Sequence, residues 1–175
     1  MIKQIITLAI LSITLITMTA CTPEGNYKLD LEEVLKDGEV STEYGISYAG
    51  QPSEAEFKVF ANSGYTTIID LKGVKEDRGL DEQAVVKSLG MNYISLPIED
   101  DEAISFENAA KLGLLIANAD GPILLHCGSS NRVGALITLN ESLKGVDDAT
   151  ALTIGKMAGL TSIEPIVLEV LKNKN

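Results

Sequence analysis

Residues 126–132 concentrate the side chains that could do chemistry. His126 and Cys127 are followed by four small polar residues and then by Arg132. A loop of small residues can turn its backbone N–H groups inward, and these donors together with a guanidinium bind a tetrahedral oxyanion. The same donors favour the thiolate form of Cys127, which is the nucleophile. The segment is therefore suited to attack by sulfur on phosphorus.

The elements on either side place this segment at the edge of a sheet. Residues 123–125 read as a short buried strand, and helical sequence begins at Val133. Binding sites in open parallel sheets form where the strands end, and a helix that starts there presents its positive end to an anion. The loop positions expected to contact a phosphate are Gly128, Ser129, Ser130, Asn131, Arg132 and Val133.

Strand-like and helix-like segments alternate through the rest of the chain. The predicted strands span residues 46–49, 66–71, 92–97 and 123–125. Helices are predicted after the capping residue Ser53, over residues 81–89, after Ser105, and from Val133 to the end of the chain. This alternation predicts an α/β fold of three layers, in which a mostly parallel sheet of four to five strands lies between helices.

Composition limits the classes of function. The chain of 175 residues contains 14 Lys and Arg against 25 Asp and Glu, so its formal net charge is −11. Such an acidic chain repels a phosphate backbone, which argues against nucleic-acid partners. One histidine and two cysteines are too few for a Cys/His zinc site, and we expect no metal and no other cofactor.

The N-terminus has the pattern of an export signal. Lys3 is the only charged residue before Glu24, and the apolar run between them contains Ala20 followed directly by Cys21. This resembles the bacterial lipoprotein signal, in which the cysteine after the cleavage site carries lipid. An uncleaved anchor is the alternative, since residues 4–23 approach the length of a membrane-spanning helix.

The lipoprotein interpretation predicts three parts of the chain and a location. These parts are a signal peptide over residues 1–20, a lipidated tether over residues 21–28 and the working domain over residues 29–175. The protein would be attached through Cys21 to a bacterial membrane, inner or outer, on the periplasmic side. Cys127 would then be the one free thiol, so no internal disulfide could form.

Residues 126–134 resemble the active loop of cysteine-dependent protein phosphatases. That family forms a phospho-cysteine intermediate, binds phosphate with the arginine and needs no metal. The wider chain, over roughly residues 40–170, resembles the beta-lactamase hydrolase-like phosphatase branch of that superfamily. The stretches that carry this resemblance are 48–53, 68–71 and 159–165. It implies a phosphatase of the tyrosine or dual-specificity type, acting on phosphotyrosine or phosphoserine proteins or on small phosphomonoesters.

Two departures from the usual pattern keep other functions open. Four residues separate Cys127 from Arg132, where most of these phosphatases have five, and Val133 stands where the family often has Ser or Thr. A loop of this length also occurs in rhodanese-like sulfurtransferases, which would use Cys127 as a persulfide. A non-catalytic lipoprotein whose loop binds an anion or a partner is the third possibility.

The resemblance also implies a general acid on a loop before the cysteine. Asp100 and Asp101 lie 27 and 26 residues before Cys127 and are the candidates, between which the spacing does not choose. We expect His126 to orient the phosphate-binding loop through a hydrogen bond. Asp77 and Arg78 are expected to form a solvated salt pair.

Overall fold

The structure is a computed structural model that describes residues 41–43 and 45–174. The predicted signal peptide, Cys21 and the tether up to residue 28 lie outside these residues. Within them, the chain forms a five-stranded sheet flanked by helices. The predicted α/β architecture with a mostly parallel sheet is confirmed.

The sheet is parallel except at one edge. Its strands are β1 (Ser41–Glu43), β2 (Ile46–Ala49), β3 (Thr67–Asp70), β4 (Asn92–Ser95) and β5 (Ile123–His126). Their order across the sheet is β1-β2-β5-β3-β4, and only the β1–β2 pair is antiparallel. The four parallel strands are the predicted ones. β1 was not predicted, because its three polar residues carry no apolar pattern.

Within residues 45–174, six α-helices and one short 3₁₀ helix connect and follow the strands. They are α1 (Glu54–Asn62), α2 (Glu82–Ser88), the 3₁₀ helix Asp101–Ala103, α3 (Phe106–Ala117), α4 (Asn131–Leu143), α5 (Asp148–Met157) and α6 (Glu164–Lys172). The helical sequence expected from Val133 onward forms three helices, α4 to α6, separated by two turns. Gly145 and Gly159, with φ of 90° and 100°, follow α4 and α5 and separate the three helices.

The central strands bury side chains on both faces of the sheet, as parallel strands do. Ile69 and Leu125 face the larger core, which α3 to α6 cover, whereas Ile68 and Leu124 pack with Phe57 of α1 on the other side. All five side chains are fully buried. Truncating one of them to alanine would cost about 2–5 kcal/mol, so the sheet is a rigid base for whatever its strand ends carry.

Helices α4 and α5 cross at very short range because glycine lies on both. A Cβ on Gly134 would come within 2.5 Å of the Gly155 carbonyl oxygen, and a Cβ on Gly155 would collide with Thr138. No side chain fits at either position without moving a helix. The start of α4 is therefore fixed against the helix pair behind it.

None of the helices in the described part of the chain combines the length and the hydropathy that a bilayer crossing requires. The apolar run over residues 4–23 lies outside that part.

Candidate active site

The predicted nucleophile lies at the carboxyl edge of the parallel strands. Strand β5 ends at His126, and Cys127 opens the loop that leads into α4. The Cys127 side chain is only 1% exposed, and its backbone N–H donates to the Ala49 carbonyl at the end of β2 over 3.4 Å. The Leu71 N–H, just after β3, donates to the His126 carbonyl over 2.9 Å. Two neighbouring strands thus hold the start of the loop.

The end of the loop is a helix N-terminus. Ser130, at φ 61°, has the one left-handed non-glycine backbone among the described residues, and its carbonyl accepts the first helical bond from Gly134 N–H over 2.9 Å. The N–H groups of Asn131, Arg132 and Val133 consequently have no acceptor within the helix. They lie at its positive end, which suits an anion. The Val133 side chain is fully buried, so only its N–H can contribute.

One turn supports the loop from the side of β2. The Gln51 N–H donates to the Gly128 carbonyl over 3.3 Å, and Gly50 pairs with Ser129 as an isolated antiparallel bridge. A Cβ on Gly50 would lie 3.1 Å from the Gly128 carbonyl oxygen, closer than such contacts usually are. This close approach gives a physical reason for glycine in the motif over residues 48–53.

A second turn, between α5 and α6, supports the loop from the opposite side. The Ser130 hydroxyl donates to the Ala158 carbonyl over 2.8 Å. The Asn131 side-chain amide accepts from Thr161 N–H over 2.9 Å and donates to the Ser162 hydroxyl over 2.6 Å. Ser130 and Asn131 therefore use their side chains to fix the loop. This accounts for the second motif, over residues 159–165.

Arg132 is oriented by a carboxylate that the sequence did not single out. Its Nη1 and Nη2 groups donate to the two carboxylate oxygens of Glu76, and Nη1 also donates to the Ile98 carbonyl over 2.9 Å. This bidentate pair uses one edge of the guanidinium and leaves the Nε–Nη2 edge for a ligand. The Nη2 group lies near Gly128, where a Cβ would meet it at 3.6 Å.

The charges of this pair reinforce each other. Hydrogen bonding to Arg132 lowers the pKa of Glu76 to about 2, although partial burial opposes the shift. Hydrogen bonding to Glu76 likewise raises the pKa of Arg132, against the effect of burial, and the charge of Cys127 adds to the rise. Arg132 is thus a permanent cation beside the sulfur.

His126 contacts a buried carboxylate. Its Nε2 lies 2.8 Å from Glu82 Oε1, and both side chains are almost inaccessible. Its Nδ1 has no hydrogen-bond partner within the described residues. The hydrogen bond through which His126 is expected to orient the loop has Glu82 as its partner, and the orienting role itself stays a prediction.

Arg78 and Asp77 do not form the expected solvated pair. Arg78 Nε donates to Asp70 Oδ2 over 2.7 Å, whereas the Asp77 carboxylate accepts from Gly79 N–H over 2.8 Å. Asp70 is fully buried at the end of β3 and also accepts from the Tyr93 hydroxyl over 2.8 Å. Burial and this bond raise the pKa of Tyr93. The expectation failed because a buried carboxylate requires a partner, and Asp70 takes Arg78.

Asp70, Glu82 and His126 lie close enough to hold a metal ion, with one ligand atom from each within 4.8 Å of the others. Their oxygens already accept hydrogen bonds, however. Asp70 accepts from Arg78, Tyr93 and the Lys72 N–H, and Glu82 Oε2 accepts from the Gln51 side chain. The oxygens that could bind a metal therefore belong to a buried hydrogen-bond network, which also contains the cationic side chains of Arg78 and Lys72.

The two candidate acids lie on an exposed loop beside the site. Ile98, whose carbonyl contacts Arg132, directly precedes the acidic residues 99–102. The Asp100 carboxylate accepts from Ala103 N–H over 3.0 Å and so caps the 3₁₀ helix. Asp101 is exposed. The structure brings this loop to Arg132 through its backbone, and it does not choose between Asp100 and Asp101.

Glu76 and Glu82 are the site residues that the sequence did not reveal. Both lie in polar stretches with no motif. Glu76 is 56 residues from its partner Arg132, and Glu82 is 44 residues from its partner His126. Gln51 could have been found from the sequence, since it belongs to the motif over residues 48–53. A buried cation or imidazole implies a carboxylate partner, but only the fold identifies which one.

Comparison with known proteins places the chain among phosphatases. The model of a family described as DSP-PTPase phosphatase fused to NAD+ kinase matches residues 30–158. A beta-lactamase hydrolase-like protein of Xylella fastidiosa is 33% identical over 109 residues. That match covers 57% of this chain and 24% of the relative, so the chain spans about a quarter of the relative's length. The predicted family is confirmed.

Solved structures share the fold. A candidate phosphatase from Neisseria meningitidis superposes with a TM-score of 0.66 at 17% identity, covering 77% of this chain and 97% of its own. The Pseudomonas aeruginosa protein TpbA, solved in complex with pTyr, gives a TM-score of 0.50 at 14% identity, covering 77% and 95%. At these identities the likeness concerns the fold alone.

Proposed function

Because the chain belongs to the DSP-PTPase family whose model covers residues 30–158, we propose that it hydrolyses phosphomonoesters through a phospho-cysteine intermediate on Cys127. The observation that carries the proposal is the pairing of Cys127 with Arg132 on one loop. Arg132 is held by Glu76 so that one guanidinium edge is left for phosphate. Helix α4 adds three N–H groups at its positive end.

In the first step, the Cys127 thiolate attacks phosphorus, so an S–P bond forms and the ester P–O bond breaks. The leaving oxygen takes a proton from a carboxylic acid, for which Asp100 and Asp101 are the candidates. In the second step, water attacks the phosphocysteine and gives a proton to the carboxylate left by the first step, while the S–P bond breaks, phosphate is released and the thiolate is restored. Arg132 and the loop N–H groups stabilise the charge on the three equatorial oxygens in both steps.

The substrate class follows from the family and from charge. TpbA was solved with pTyr, which supports a phosphorylated protein or a small phosphomonoester as the substrate here. Glu76 pairs with Arg132, the acidic residues 99–102 directly follow the Ile98 carbonyl that Arg132 contacts, and the chain as a whole is acidic. Strongly anionic substrates, nucleic acids included, would be repelled.

The proposal is tested with the full chain under reducing conditions, with chelator present and an aryl phosphate as substrate. Cys127→Ser is expected to abolish hydrolysis, whereas the matched variant Cys21→Ser keeps it. Phosphate release that survives Cys127→Ser would refute the mechanism. Transfer of sulfur from thiosulfate to cyanide, without phosphate release, would instead favour the sulfurtransferase that the four-residue spacing keeps open.

We also propose that Cys21 carries lipid and attaches the protein to the periplasmic side of a bacterial membrane. The support is the sequence pattern before Cys21, which lies outside the described residues. Expression in a bacterial host with a labelled fatty acid should label the parent and Cys127→Ser equally. The label should be absent from Cys21→Ser, and equal label in all three proteins would refute lipidation at this residue.

A further inference from the structure

Glu82 lies behind the phosphate loop and reaches it by two routes. Its Oε1 contacts His126 Nε2 over 2.8 Å, and His126 directly precedes Cys127. Its Oε2 accepts from the Gln51 side-chain amide over 2.7 Å. The backbone N–H of the same Gln51 donates to the Gly128 carbonyl. One buried carboxylate thus joins the strand that ends at the nucleophile to the turn that holds the next residue of the loop.

We propose that Glu82 is a positioning residue for the phosphate loop, acting through His126 and Gln51. Its two oxygens each accept from a group on a different support of the loop. Glu82 is 2% exposed and His126 is fully buried, so water does not replace either contact. Of the three tests described below, only the activity measurement rests on the proposed phosphatase function.

The orientation of each partner is set by the surrounding network. Lys72 Nζ donates to Gln51 Oε1 over 2.7 Å, which turns the Gln51 amide nitrogen toward Glu82. His126 Nδ1 has no partner within the described residues, so the ring proton is assigned to Nε2, facing Glu82. Both partners are then donors, and the carboxylate of Glu82 accepts from each of them with a different oxygen.

This arrangement explains why an acidic residue is buried here. A carboxylate accepts on both oxygens, whereas the isosteric glutamine has one oxygen and one NH₂ group. Glu82→Gln therefore places a donor against a donor on one of the two routes, with almost no change in volume. Because the group is buried, the unsatisfied contact is not repaired by solvent.

The experiment compares Glu82→Gln with two matched controls in the full chain. Glu54→Gln makes the same change at the first residue of α1, where the carboxylate is exposed and pairs with Lys58. Val86→Ala removes buried packing from α2, the helix of Glu82, without touching the loop. Val86→Ala thus reproduces a general loss of stability.

The first readout is hydrogen exchange at the backbone N–H groups of Gln51 and Cys127, which bond to Gly128 and Ala49. Relative to core amides of β5, both should exchange about tenfold faster or more in Glu82→Gln and unchanged in the two controls. Unchanged relative exchange in Glu82→Gln would overturn the proposal. Equal acceleration in Val86→Ala would overturn it too, because it would show a merely structural effect.

The second readout is the ring of His126, the one histidine of the chain, whose ¹⁵N signals need no assignment. The parent should show Nε2 protonated, and Glu82→Gln should shift these signals while Val86→Ala leaves them in place. If Glu82→Gln does not fold, Gln51→Leu takes its place. That variant breaks the route through Gln51 alone and should accelerate exchange at the backbone N–H of residue 51, which bonds to Gly128, with the His126 signals unmoved. Unchanged exchange at this N–H would refute the proposal.

The third readout is kcat/KM for the aryl phosphate, expected to fall about tenfold or more in Glu82→Gln and to stay at the parent value in Glu54→Gln. A parent without activity would refute the proposed function. The exchange and ¹⁵N measurements would still decide the role of Glu82, so the two failures are distinguishable. Loss of activity with unaltered exchange would count against positioning.

Discussion

The phosphate loop, residues 127–132, and the acidic loop, residues 99–102, approach the same site in opposite ways. Cys127 and Ser130 are buried, and turns on two sides hold the phosphate loop by hydrogen bonds. The acidic loop exposes Asp100 and Asp101 to solvent, and the Ile98 carbonyl that precedes it accepts a hydrogen bond from Arg132. The proposed nucleophile and anion site are thus preorganised, whereas the proposed proton donor has only to reach the leaving group once substrate is bound.

The largest expected effect in this comparison comes from the rigid loop. Arg132→Lys replaces the planar guanidinium with a single ammonium group. The ammonium has no second edge with which to bind phosphate while it also binds Glu76. We expect kcat/KM for an aryl phosphate to fall about a thousandfold. Arg78→Lys is the matched change at the other arginine. It should lower the unfolding temperature more than Arg132→Lys does and lower kcat/KM far less; the reverse order would contradict the assigned roles.

The exposed loop should give a smaller and more selective effect. If one of Asp100 and Asp101 is the acid, its change to Asn should lower kcat about a hundredfold for an alkyl phosphate, whose leaving group needs a proton. The same variant should alter the rate with p-nitrophenyl phosphate much less. Parallel assays of Asp100→Asn and Asp101→Asn identify the acid. Full activity of both variants on the alkyl phosphate would exclude this loop as the proton donor.

Glu76→Gln should have the smallest effect, because Arg132 keeps its bond to the Ile98 carbonyl. We expect KM to rise about tenfold with little change in kcat, since the guanidinium loses its fixed orientation and not its charge. Steady-state kinetics check this, with Glu54→Gln as the control. A fall in kcat at constant KM would show that Glu76 acts in the chemical step.

The difference in stability between the parent and Glu76→Gln should decrease as the pH falls. Arg132 lowers the pKa of Glu76 to about 2 from the ordinary 4.5. The pair therefore stabilises the fold fully above pH 4.5, and this contribution is lost as the pH falls towards 2. Because Glu76 is partly exposed, the difference in unfolding free energy between the parent and Glu76→Gln should be at most about 1 kcal/mol at neutral pH. It should vanish near pH 2, and a difference that grows on acidification would contradict the pairing.

Sequence reasoning succeeded where the determining interactions are local. The helix start predicted at the capping residue Ser53 is confirmed, and Ser53 and Glu56 each bond to the other's backbone N–H there. The loop from Cys127 to Arg132 is likewise contiguous, so its residue types alone indicated an anion site. Strand positions followed from apolar runs for the same reason.

It failed where partners lie far apart in the chain. Nothing near Glu76 or Glu82 marks them as the partners of Arg132 and His126, because the fold alone brings them together. Arg78 was paired with its neighbour Asp77, although the buried Asp70 across the loop requires the cation more. Long-range electrostatic pairing follows burial, which a single sequence shows only indirectly.

The burial of Cys127 has a consequence for oxidation. Because Cys127 is 1% exposed, a disulfide to another protein demands that a bulky thiol carrier bring its sulfur to about 2 Å at the bottom of the loop, whereas a phosphomonoester has to insert only its terminal phosphoryl group. A peroxide is small enough to need less opening. After residue 21 the chain contains no other cysteine, so a sulfenic acid formed at Cys127 must await an external thiol for its reduction. The size of the oxidant, more than its strength, therefore governs how fast this site is lost.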